Sequence, residues 1–70
     1  MTEVNADLSA NVWKIVVSEG DVVAADDTLM ILESMKMEIP VEAPVAGTVV
    51  SLAVAEGDTI DEGALLATIE

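Results

Sequence analysis

Short apolar runs recur along the chain, and each ends at a glycine, a proline or a pair of acidic residues. Val12-Trp13-Lys14-Ile15-Val16-Val17, Thr28-Leu29-Met30-Ile31-Leu32, Thr48-Val49-Val50-Ser51-Leu52-Ala53-Val54 and Leu65-Leu66-Ala67-Thr68-Ile69 have the length and side chains of strands. No window holds a period near 3.6 for three turns without a Gly, a Pro or a β-branched run, which excludes long helices. The punctuation between runs is turn chemistry. Glu19-Gly20-Asp21 and Glu56-Gly57-Asp58 place a glycine where a tight turn needs positive φ, with an aspartate ready to bond nearby backbone. Second turns follow at Ala24-Ala25-Asp26-Asp27 and Asp61-Glu62-Gly63-Ala64. Asp26 stands where the later stretch has Gly63, and aspartate tolerates left-handed backbone better than most residues. Pro40 and Pro44 flank Val41-Glu42-Ala43, so this stretch is extended but unsuited to the middle of a sheet.

The pattern repeats. Shifting the sequence by 37 positions lays residues 2–33 on 39–70 without a gap, and nine of the 32 pairs are identical, including Glu-Gly-Asp as a block. This is an internal duplication. It predicts one domain, residues 1–70, of two repeats (2–33 and 39–70) joined by a hairpin at 34–38. The expected product is about eight short strands, four from each copy, related by an approximate two-fold axis. Lone hairpins are marginal in water, so the copies are expected to pack face to face. The joining segment, Ser34-Met35-Lys36-Met37-Glu38, then lies at one tip, far from Met1 and Glu70.

Composition narrows the chemistry. Seventy residues lie near the lower limit for a self-sufficient core and leave no room for a catalytic cleft on a scaffold. The chain has no cysteine and no histidine, which removes thiol nucleophiles, the usual zinc ligands, hydroxyl-histidine relays and disulfides; a cytoplasmic location is the simplest expectation. A net charge of −12 repels nucleic acid and anionic membranes and favours a monomer. The apolar runs are too short for a transmembrane helix or a signal peptide. With Trp13 as the one aromatic residue, the core must be thin and filled by small side chains.

Lys36 is the chemically conspicuous residue. It is one of two lysines and is framed by Met35 and Met37, with Glu33 and Glu38 beyond them. By itself it is a poor Schiff-base catalyst, but a lysine on a flexible stem is a good attachment point when another enzyme supplies an activated acyl group. Lys14 replaces Ser51 of the other copy and reads as a solvent-facing strand residue. Met35 and Met37 have two readings, as gap-filling core residues sharing one strand face or as soft contacts for a partner enzyme. Ser34 has no base to activate it, and Asp26-Asp27 lacks the alternation of a calcium loop.

Glu33-Ser34-Met35-Lys36-Met37 resembles the Glu-Ala-Met-Lys-Met signature of biotinyl domains, with Ser34 in place of alanine. The frame is similar too, from Glu19-Gly20-Asp21 before the lysine to Ala43-Pro44, Gly47, Gly57-Asp58 and Gly63 after it, and the likeness covers nearly all the chain from about Val4. The resemblance implies an all-β fold, a flattened barrel or sandwich of two four-stranded antiparallel sheets with pseudo-two-fold symmetry. It implies that a biotin protein ligase joins biotin by an amide to Lys36, with Glu33, Ser34, Met35 and Met37 as motif residues. A non-catalytic carrier then takes a carboxyl group between biotin carboxylase and carboxyltransferase subunits. The gapless repeat leaves no room for the thumb loop that some biotinyl domains carry, and the glycine often found at Asp26 is missing. Starting at Met1 and stopping after its last strand, the chain is similar to the small standalone biotin/lipoyl attachment proteins. A lipoyl carrier in a 2-oxo acid dehydrogenase or glycine-cleavage-type system is the alternative, though Met-Lys-Met favours biotin; an unmodified adaptor module is the third.

Overall fold

The computed structural model describes residues 1–70. Its strands are β1 (Thr2–Asn5), β2 (Ala10–Ile15), β3 (Val22–Val23), β4 (Thr28–Ser34), β5 (Met37–Glu42), β6 (Gly47–Leu52), β7 (Thr59–Ile60) and β8 (Leu65–Ile69). They form two four-stranded antiparallel sheets, ordered β1-β8-β6-β3 and β5-β4-β2-β7, in a body measuring 31 × 17 × 17 Å. The offset of 37 carries residues 2–5, 10–15, 22–23 and 28–32 onto strand residues 39–42, 47–52, 59–60 and 65–69, and one sheet order onto the other.

Simple face-to-face packing of two copies is not what forms. Each sheet takes two strands from each copy, because within the first copy only β2 and β4 pair with each other. β1 and β3 find their hydrogen-bond partners in β8 and β6 of the second copy. A single copy would leave those edges open, and unpaired backbone polar groups are costly to bury.

The Glu-Gly-Asp blocks lock the exchange. Gly20, at φ 95°, donates its N–H to the Val49 carbonyl at 2.7 Å, and Gly57, at φ 93°, donates to the Val12 carbonyl at 2.7 Å. The Glu19 carboxylate accepts from the Leu52 N–H at 3.0 Å, and the Glu56 carboxylate from the Ile15 N–H at 2.9 Å. Asp21 and Asp58 close their own turns by accepting from Ser18 N–H and Ala55 N–H, each at 2.9 Å. Glutamate therefore reaches across to the other copy, glycine supplies the left-handed turn, and aspartate holds that turn in shape. Asp26 takes φ 73° in Gly63's place, and the Asp27 carboxylate accepts from Ala24 N–H at 2.8 Å, a turn-closing role rather than a metal-binding one.

Four bulges place the core. Leu29 in β4 and Leu66 in β8 are extra residues in their ladders, so Leu29 and Met30, like Leu66 and Ala67, are both buried although adjacent residues of a regular strand face opposite sides. Trp13 in β2 and Val50 in β6 are the other pair. Two interior clusters result. One holds Val4, Val23, Leu29, Ala43, Val49, Ala67 and Ile69; the other holds Ala6, Ala10, Val12, Met30, Leu32, Ile60 and Leu66. Both clusters draw on both copies, and the buried residues are aliphatic side chains and methionine throughout; Trp13 stays half exposed outside them. Pro40 lies in β5, an edge strand, where its missing N–H interrupts no interior ladder.

Candidate functional site

β4 and β5 form the hairpin that joins the copies. Its ladder runs Leu32 opposite Ile39, Glu33 opposite Glu38 and Ser34 opposite Met37, leaving Met35 and Lys36 as a two-residue loop. Both loop residues have positive φ, 52° and 66°, the signature of a type I′ turn, whose twist matches that of the flanking strands. Asn-Gly is the usual occupant. Ordinary L-residues there cost about 1–2 kcal/mol each, so this loop holds Met35 and Lys36 in a conformation neither prefers.

The hairpin also projects. β4 runs two residues past the point matching the end of β8, and β5 starts two residues before the point matching the start of β1. At about 3.4 Å per residue, that extension lifts the turn roughly 7 Å beyond the symmetric body. At the counterpart position β8 and β1 pair, Ile69 opposite Thr2, with no connecting turn.

The two readings of the methionines separate here. Met35 is 92% exposed and Met37 61%, so neither enters the core. The core reading fails because Met35 lies in the turn rather than on the strand, so the rule that residues two apart share a face does not apply. Lys36 is exposed, and the side-chain hydrogen bonds of the protein all lie elsewhere. Glu33 and Glu38 are exposed and face each other across the ladder, giving the base of the tip a negative charge; Ser34 is half-buried. No three His, Cys, Asp or Glu side chains come together to hold a metal ion. What the site presents is one exposed primary amine on a two-residue turn at the end of a paired hairpin.

Sequence reasoning missed an open groove of about 490 Å³ between edge strands β1 and β5, with Leu32, Ile39 and Val41 among its apolar residues and Glu3, Asp7 and Glu42 among its acidic ones. Both strands carry too little local pattern to be paired with a distant partner by inspection.

The model of the family described as "Biotin-requiring enzyme" matches residues 2–69. A biotinylated protein TB7.3 homolog of Mycobacterium leprae is 52% identical over 67 residues, covering 96% of this chain and 94% of that protein. A biotin/lipoyl attachment protein of Bacillus subtilis is 41% identical over 63 residues, covering 90% and 86%. In the crystal structure of urea carboxylase from Kluyveromyces lactis, a region superposes with a TM-score of 0.93 at 33% identity, covering 99% of this chain and 6% of the carboxylase.

Proposed function

This chain belongs to the family of biotin-requiring enzymes, whose model matches residues 2–69, and we propose that it is a biotin carboxyl carrier in which biotin is amide-linked to Lys36. Domains of this family carry a cofactor and are not themselves catalysts. The observation supporting the attachment site is the conformation of the tip: an exposed lysine on a projecting two-residue turn.

The chain's own part in the chemistry is small and definite. The unprotonated Nζ of Lys36 attacks the carbonyl carbon of an activated biotin acid delivered by a biotin protein ligase. The nitrogen loses a proton, the activating group leaves, and an amide remains. Once bound, biotin supplies a ureido nitrogen that takes up and gives up a carboxyl group. Lys36 then serves as the first segment of a flexible arm, while the type I′ turn keeps the arm's base from folding back on the strands. The tether raises the local concentration of the cargo at each site it visits.

Partners in this reading are the ligase, a biotin carboxylase and a carboxyltransferase. The charge of −12 and Pro40 on the β5 edge favour a monomer between encounters.

The test is intact mass and peptide mapping of the chain purified from cells containing its own ligases. A single biotin adduct on Lys36 is expected, and Lys36→Arg should keep the fold and lose the adduct. Biotin found on Lys14, or an arginine variant that is still labelled, would overturn the site; a lipoyl adduct would replace the cofactor.

A further inference from the structure

The duplication supplies an internal control for the protein's surface. Residues that the fold needs on the outside of one sheet have counterparts, 37 positions away, on the outside of the other. Across the sheet that carries Lys36, Lys14 of β2 lies opposite Ile31 of β4, and Ile31 lies opposite Pro40 of β5. The bulge residue Trp13 stands next to Lys14 and is 50% exposed. Across the other sheet the matching row is Ser51, Thr68 and Glu3, with Val50 at the bulge. The same backbone, in the same register, is thus served on one side by Val, Ser, Thr and Glu, and on the other by Trp, Lys, Ile and Pro. The second set departs from what the matching backbone positions carry in the other copy.

The departures share one face. The chain's one tryptophan and one of its two lysines fall on the outside of the sheet whose hairpin presents the other lysine. An exposed indole next to a row that holds Ile31 and Pro40 is an apolar anchor of the kind that dominates protein interfaces. Lys14 is the one cation of that face in a chain of charge −12.

We propose that this face, centred on Trp13 and Ile31, is the docking surface for the biotin-attaching ligase, whose complementary surface carries an apolar pocket for the indole and a carboxylate facing Lys14. This rests on the attachment reading above. The ligase is favoured over the carboxylase subunits by reach. A bare lysine side chain extends roughly 6 Å from its Cα, so the ligase must bring its reacting site against the hairpin tip and its surround close to the strands that form it, whereas later partners meet a longer arm. A standard interface covers about 800 Å² per partner, a disc of roughly 16 Å radius. The Lys14–Ile31–Pro40 row lies about four residues below the turn, or roughly 13 Å at ~3.3 Å per residue, and the body is 17 Å across. The row falls inside that footprint.

The double variant Trp13→Val/Ile31→Thr tests this, since it keeps the net charge and installs residues that the opposite face already carries. Steady-state incorporation of biotin by the ligase, with biotin and ATP, is followed by intact mass. KM for the chain should rise roughly tenfold or more, the loss of one interface anchor, with kcat little changed. Val50→Trp/Thr68→Ile, the same exchange on the other face, should leave both constants at wild-type values. Should the double variant lose its fold, Trp13→Val alone gives the same comparison. An unchanged KM, a loss confined to kcat, or an equal effect from the opposite face would overturn the docking assignment. A wild-type chain that takes no biotin at all would instead remove the attachment reading, and this one with it.

Discussion

Replacing Met35 with asparagine should make the domain more stable and a worse substrate, two effects of opposite sign from one side chain. Met35 is held at φ 52°, where an ordinary L-residue costs about 1–2 kcal/mol. Asparagine tolerates that region because its short polar side chain bonds locally, and it is a favoured first residue of a type I′ turn. Little packing is lost in exchange. Full burial of a methionine side chain is worth about 1.5–3 kcal/mol, and Met35 is 92% exposed, which leaves at most about 0.3 kcal/mol to forfeit. The net gain is about 0.5–1 kcal/mol, or roughly 2–8 °C in the thermal midpoint of a domain this size. Circular dichroism melts give the stability, and biotin incorporation measured by mass gives the other half, where a rate below wild type is expected because a soft apolar contact at the lysine has gone. A midpoint lowered by more than about 2 °C would refute the reasoning, since it would mean that Met35 packs or that the turn is unstrained.

Other positions test the body of the fold. Gly47→Ala should cost about 1–3 kcal/mol in urea unfolding, because a Cβ there would strike the Glu70 carbonyl oxygen and lie 2.8 Å from Ile69 Cγ2. Leu29→Ala and Leu66→Ala each remove a fully buried bulge residue at about 2–5 kcal/mol; against the roughly 3–5 kcal/mol a core this small supplies, either should abolish the cooperative melt. Asp26→Gly, which copies Gly63 into the first repeat at φ 73°, should raise the thermal midpoint by a few degrees, corresponding to about 0.5–1 kcal/mol.

The strands with the densest β-branched runs, β2, β4, β6 and β8, are legible because their side chains alone signal an extended, half-buried segment. β3 and β7 are not, since two residues carry no pattern, and Val22–Val23 becomes a strand through pairing with Gly47 and Thr48 some 25 positions away. The same holds for β1 and β5, whose ladder partners and edge positions are set by the exchange between copies. Turn glycines could be assigned their backbone directly, because only positive φ explains a glycine between a glutamate and an aspartate in both copies. The tip could be placed but not shaped. Nothing about Met-Lys flags a type I′ turn, and the available clue was arithmetic: residues 34–38 form the join between the repeats, so a ladder continuing to Ser34 and Met37 leaves room for two loop residues. The outer face around Trp13 was equally open to reading by the 37-residue offset, but strand residues looked merely solvent-facing until the register showed which of them share a row.

Interleaving the copies also ties the lysine hairpin into the whole domain. Had each copy formed its own sheet, the hairpin at 34–38 would have been a hinge between two layers, free to open as the layers slid. Instead β4 and β5 both lie in one sheet, β4 is paired on its other side with β2, and β2 in turn pairs with β7 of the second copy. The strand that leads into the lysine turn is thus central to a sheet built from both halves, and its leucines, Leu29 and Leu32, are buried in different core clusters. Loosening the tip would mean disturbing both cores together. The hairpin's base is thereby tied into both clusters, which suits the proposed carrier role, in which the lysine stem is the flexible segment.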